Sequence, residues 1–162
     1  MLVNYIRRNL LMIGLASFLV WKYRPGLLSQ LSSNSGAHSE LISKAKSNYS
    51  YIRDVPMDIV EAIIMVESNG DPSATGAADE YGLMQILPTT WAWITNKYEL
   101  PSTNPYYDYW NIIAGMHYLK DVYLCIGGSW SDAIHGYNVG CGGFKNGIRN
   151  WDYANKVALN RK

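Results

Sequence analysis

The sequence predicts one mainly α-helical domain, and three observations carry that expectation. Apolar residues recur at helical spacing between Pro, Gly and Asn punctuation. No stretch of useful length alternates apolar and polar residues as a half-buried strand does. The chain has 162 residues and is 48% apolar, which suffices for one packed core and argues against disorder.

The elements follow in order. Residues 9–21, NLLMIGLASFLVW, lie between Arg7-Arg8 and Lys22. A basic start before a short apolar run reads as a signal anchor or transmembrane segment over residues 1–25. The run falls short of the ~20 residues a spanning helix needs, but Tyr5, Trp21 and Tyr23 extend it as interfacial anchors. No small-residue cleavage site follows, so an anchor is expected in place of a removed signal. Residues 26–45 are rich in Ser, Gly and Asn and read as a flexible tether. The globular domain is expected over 46–162. Its clearest helix is 56–68, PMDIVEAIIMVES, with Pro at its start and Asn69-Gly70-Asp71-Pro72 to end it. Further helices are expected near 88–97, 108–124, 130–138 and 150–160. Residues 71–82 read as a loop or at most a small ribbon.

Composition narrows the partners. The four basic residues Arg7, Arg8, Lys22 and Arg24 precede residue 27, and the remainder carries 10 Lys and Arg against 13 Asp and Glu. A slightly acidic body lacks the clustered cations that nucleic-acid phosphates require. The chain has 13 Tyr and 6 Trp but only 2 Phe. Aromatics with a polar edge suit a wet groove, and Trp91, Trp93, Tyr106, Tyr107, Tyr109 and Trp110 serve either as stacking platforms in such a groove or as core. His38, His117 and His135 lack metal-ligand spacing, so no metal and no cofactor are expected. Cys125 and Cys141 form either one bridge or two free thiols. A Cys141–His135 nucleophile pair is set aside, because nothing orients the histidine.

One acidic residue stands out. Glu67 falls four residues after Ile63 and eight after Ile59, on one helical face. Its carboxylate therefore lies on the core-facing stripe, in the last turn, where the helix dipole is negative. Both effects disfavour the charged form and raise the pKa. A carboxylic acid that stays protonated near neutrality is what general-acid cleavage of a glycosidic bond needs. The spacing alone also fits, and fits better, a buried glutamate satisfied by a neighbour.

Four phrases decide between these readings. Glu67-Ser68 is followed by GLMQI at 82–86, NIIAGMHYL at 111–119 and YNVGCG at 137–142. In this order and spacing they resemble the lytic transglycosylases of the soluble type, related to goose-type lysozyme, over roughly residues 52–158. The resemblance implies a lysozyme-like, two-lobed helical fold around a central glycan cleft. It implies cleavage of the β-1,4 bond between N-acetylmuramic acid and N-acetylglucosamine in peptidoglycan, leaving a 1,6-anhydro end. Residue by residue it makes Glu67 the acid/base. Tyr137 would be the tyrosine whose hydroxyl approaches that carboxylate. Ser68, Gly82, Leu83, Met84, Gln85, Ile86 and Asn138 would line or support the substrate site, with Met84 and Gln85 facing the sugar. Gly82 would let backbone approach the ligand closely. Tyr153 and Val157 resemble a closing helix of structural role.

The chain departs from that pattern at Asp79-Glu80, where a glycine is usual, and at Val139-Gly140-Cys141-Gly142. Two adjacent acids are costly to bury, so Asp79 and Glu80 are expected to face solvent. A second carboxylate in the cleft would instead activate water and make the enzyme a lysozyme-type muramidase. A non-catalytic peptidoglycan-binding piece of an envelope-spanning machine is the remaining alternative. The expected partners are peptidoglycan glycan strands, a membrane through the N-terminal segment, and a virion, secretion or conjugation assembly, but no nucleic acid. The expected location is the periplasm or another space outside the cytoplasm, a virion membrane included.

Overall fold

The computed structural model describes residues 25–101 and 104–161. It divides into two units, Met1–Gly36 and Ala37–Lys162. The expected membrane segment, residues 1–25, lies outside the described residues but for Pro25. Among the described residues no helix is long and apolar enough to cross a membrane.

The tether expected over 26–45 needs correction. Helix α1 runs Pro25–Asn48. Its Ser- and Asn-rich composition hides a narrow stripe, His38, Ile42 and Ala45, spaced for one helical face and buried. Ser, Asn and Gly disfavour an isolated helix, but packing of Ile42 and Ala45 into the core outweighs that preference. The domain therefore begins before residue 46.

A short 3-10 turn at Ser50–Ile52 leads to α2, Met57–Ser68. Ile59, Val60, Ala62, Ile63 and Ile64 bury its inner face, as the spacing requires. Asn69, at φ 54°, closes it in the left-handed conformation, with its N–H on the Met65 carbonyl. Helix α3, Pro88–Lys97, has Pro at its start, where a missing N–H costs nothing. Then come α4, Asp108–Cys125, and α5, Trp130–Lys145, the latter capped by the Ser129 side chain on the Asp132 N–H. Helix α6, Trp151–Asn160, completes the domain. The predicted helices are all present. Residues 71–86 hold only isolated bridges, Thr75 to Tyr81 and Tyr81 to Ile86.

Helix α4 is the central rod: Asn111 to His117, Leu119, Lys120 and Val122 are all buried. It packs on α3, α5 and the 3-10 turn, while α2 packs on α6. That last pairing matters most, because it sets α6 against the helix that ends in Glu67.

Cys125 and Cys141 are bridged, joining the end of α4 to α5. Cys141 follows Gly140, whose φ of 73° and ψ of 158° kink α5. The bridge closes a span of sixteen residues. Reduction, or a Cys125→Ser/Cys141→Ser pair, is expected to lower unfolding stability by about 3 kcal/mol through freed denatured-state entropy. Urea denaturation with and without reductant checks this; coincident curves would refute it.

Candidate active site

A cleft of about 360 Å³ opens in the 37–162 unit. Glu67 enters it from the end of α2, Glu80, Gln85 and Ile86 from the connecting loop, and Leu87 and Thr90 from the start of α3. Tyr118 of α4, Tyr137, Asn138, Val139 and Gly140 of α5, and Gly76 and Ala77 of the loop complete its lining.

Glu67 is largely buried, and burial pushes its carboxyl up from 4.5 to about 7; Glu80 adds to the rise by repulsion, while a hydrogen bond from Tyr153 opposes it. The Tyr153 hydroxyl donates to Glu67 Oε1 at 2.7 Å. Tyr137 lies near enough to Glu67 to feel its charge, but it makes no hydrogen bond to it. The Tyr137 hydroxyl donates instead to the Met84 carbonyl at 2.8 Å. Tyr137 lies in the cleft lining with its ring 5.2 Å from that of Tyr118, so the two tyrosines divide the work. Tyr137 fixes the loop, and Tyr153, assigned only a structural role from sequence, holds the acid. A signal for Tyr153 existed: it sits on the buried stripe of α6 with Val157, and a buried tyrosine hydroxyl needs a partner.

The 82–86 loop is built from the inside. The Asn111 side chain is fully buried; its Oδ1 accepts from the Met84 N–H (2.9 Å), and its Nδ2 donates to the Tyr81 (2.9 Å) and Pro105 (2.8 Å) carbonyls. Gly82 has φ of 66°, and a Cβ there would come 2.8 Å from Asn111 Nδ2. The glycine thus admits the asparagine, not the ligand as expected. Leu83 and Met84 are fully buried. Met84 packs where Gly115 leaves space, so it does not face the sugar. Ser68 does not reach the cleft lining; its hydroxyl donates to the Leu83 carbonyl (2.8 Å), tying the end of α2 to the loop. Gln85 and Ile86 do line the cleft. The Gln85 Nε2 is spent on the Ala74 (3.1 Å) and Gly82 (2.9 Å) carbonyls, which leaves Oε1 as the acceptor of that amide.

Glu80 also departs from expectation. Asp79 is exposed, but Glu80 is half-buried and lines the cleft. Its Oε2 accepts from the Ala78 N–H at 2.9 Å, and a side chain at Gly76 would overlap it. The six aromatics left open between stacking platforms and core also sort here. None of the six aromatics lines the cleft. Trp91 is buried, whereas Trp93 and Tyr107 are 46% and 62% exposed.

A buried acid near neutrality, held by a tyrosine and facing a polar groove, agrees with the sequence comparison. The family model for the transglycosylase SLT domain matches residues 41–159. The chain belongs to the transglycosylase SLT domain family. Solved SLT-domain structures share the fold. The 70 kDa soluble lytic transglycosylase of Escherichia coli is 24% identical with a TM-score of 0.59, over 75% of this chain and 19% of that one. An inactive mutant of the lytic transglycosylase Slt of Pseudomonas aeruginosa is 22% identical with a TM-score of 0.62, over 75% of this chain and 20% of that one. The present SLT domain therefore spans about a fifth of the length of those proteins.

Proposed function

We propose that this SLT domain is a peptidoglycan lytic transglycosylase that cleaves the bond between N-acetylmuramic acid and N-acetylglucosamine. The observation that carries the reading is Glu67: a largely buried carboxyl at about 7, in a polar cleft, with a tyrosine hydroxyl on one oxygen. Protonated Glu67 gives its proton to the glycosidic oxygen as the bond to C1 breaks. The positive charge at C1 is met by the substrate's own acetamido group. Glu67, now charged, takes the proton of the muramic C6 hydroxyl as that oxygen bonds to C1. The carboxyl group ends as it began, and the product carries a 1,6-anhydro ring. The C6 hydroxyl is held at high effective concentration by its own ring, which favours it over water. The Cys125–Cys141 bridge supports action outside the reducing cytoplasm. Attachment through residues 1–25 belongs to the same proposal; a mature N-terminus past residue 25 would remove it.

Glu80 favours a second reading, because a half-buried carboxylate in the same cleft is a candidate base for water. The product mass separates the two. Muropeptides released from sacculi are expected to be lighter by one water than those of a hydrolase digest. Reducing muramic ends that vanish in Glu80→Gln would establish the muramidase.

The two tyrosines are separable by pH. The Tyr153 hydroxyl favours the ionised carboxylate, so Tyr153→Phe is expected to raise the Glu67 pKa further. The alkaline limb of the lysis profile moves up, while the maximal rate falls several-fold. Tyr137→Phe is expected to leave that limb in place and to cost about 1–3 kcal/mol of stability, because the Met84 carbonyl loses its donor. Identical pH profiles for wild type and Tyr153→Phe would refute the assignment.

A further inference from the structure

Asn150 is engaged at both ends of its side chain. Its Oδ1 accepts from the Tyr153 N–H at 3.0 Å, capping α6. A backbone N–H only donates, so this contact fixes which end of the Asn150 amide is oxygen. The other end is the NH2 group, and it donates to Asn138 Oδ1 at 2.8 Å. Asn138 must therefore turn its oxygen toward Asn150. Its own NH2 group is the end left without an intramolecular hydrogen bond among the described residues, and Asn138 lines the cleft.

We propose that Asn150 is a specificity-determining positioning residue, which sets Asn138 to offer the substrate N–H donors and no acceptor. A sugar hydroxyl donates and accepts, so either end of a free amide would satisfy it. Only a pure acceptor requires the amide to be held one way round. The ring and glycosidic oxygens of a glycan accept only weakly; on an N-acetylated glycan the strong pure acceptor is the acetamido carbonyl oxygen. The cap at Tyr153 thus propagates through two amides into recognition of an N-acetyl group. The inference rests on the glycan-cleaving reading of this cleft. It adds the feature by which the cleft tells an acetylated sugar from a plain one.

The same Asn150 also seats Tyr153, which holds Glu67, and substitutions separate the two roles. Asn150→Ser keeps an oxygen for the cap and drops the NH2 group without adding charge. Asn150→Asp keeps the cap and presents an acceptor to Asn138, which then turns its oxygen to the cleft. The probes are the β-1,4-linked trimers chitotriose and cellotriose, neutral sugars that differ by the acetamido groups. Their affinities for the full chain are measured by titration calorimetry. Wild type is expected to bind chitotriose at least tenfold more tightly than cellotriose. Asn150→Asp is expected to lose about tenfold for chitotriose alone, and Asn150→Ser a smaller part of it. Asn150→Ser should keep the wild-type alkaline limb in lysis assays, since Tyr153 stays seated and no charge is added. An unchanged chitotriose-to-cellotriose ratio in Asn150→Asp, equal weakening for both sugars, or no preference in wild type would each overturn the inference. A wild-type chain that prefers chitotriose yet releases nothing from sacculi would keep this inference and sink the transglycosylase reading.

Discussion

Glu67→Gln is expected to abolish cell-wall lysis while making the protein more stable at neutral and alkaline pH. The side chains are nearly isosteric, and the glutamine oxygen still accepts from the Tyr153 hydroxyl. What disappears is the proton source. Loss of a general acid costs about 10²–10⁴ in rate, and here the same carboxyl also serves as the base. The stability effect follows from linkage. The folded-state pKa, about 7, lies above the ordinary 4.5. Below 4.5 the carboxyl is protonated in both states, and its contribution is fully present. As pH rises toward and through 7, the unfolded chain ionises freely while the folded one must ionise in a buried site. Above pH 7 the penalty is on the order of 3 kcal/mol. Glutamine carries none of it. Thermal melts should therefore coincide near pH 4 and separate by pH 8, with the variant higher. Lysis by the wild type should decline above pH 7 as the acid form is depleted. A variant that keeps more than a few per cent of activity would overturn the assignment; melts that separate equally at pH 4 and pH 8 would overturn the burial argument.

The second large effect is expected at Asn111, a buried residue outside the cleft lining. Asn111→Ala leaves the Met84 N–H and the Pro105 carbonyl without their partner, whereas the Tyr81 carbonyl keeps the Ile86 N–H. One buried and one part-buried polar group left unpaired cost about 2–4 kcal/mol together. The functional loss should exceed what unfolding explains, because the released loop carries Gln85 and Ile86 into the cleft. At a temperature where the variant remains folded, lysis should fall at least tenfold. Asn111→Asp is the control. It preserves the acceptor for Met84 but loses the donor, and it buries a charge. Urea midpoints for both variants, with lysis rates measured well below them, test the claim. A folded Asn111→Ala at wild-type rate would show that the loop holds its shape without this strut.

Much of this site is legible along the chain, because a helix repeats locally. Ile59, Ile63 and Glu67 share a face by spacing alone; Ile59 and Ile63 on it are buried, and Glu67 is part-buried at its end. The raised pKa follows from the same count, with no knowledge of what lies opposite. The order of phrases from Glu67-Ser68 to Tyr137-Asn138 places the family. Local composition fails where burial outweighs it, as in α1, where Ser- and Asn-rich text surrounds Ile42 and Ala45.

Other decisions belong to tertiary structure alone. Which tyrosine reaches Glu67 depends on α2 packing against α6, and no spacing within either helix contains that distance. Met84 faces the core because Gly115 on α4 leaves room for it; a motif cannot say which of its members turns inward. Glu80 enters the cleft because Gly76 lacks a side chain and the Ala78 N–H meets its carboxylate, so the loop offsets part of the cost of burying an acid. The amide orientation of Asn138 is settled twelve residues away, by a helix cap. Periodicity along one helix is a property of the sequence. Partners across helices are chosen by packing and by hydrogen-bond satisfaction in three dimensions, and only the folded chain holds that information.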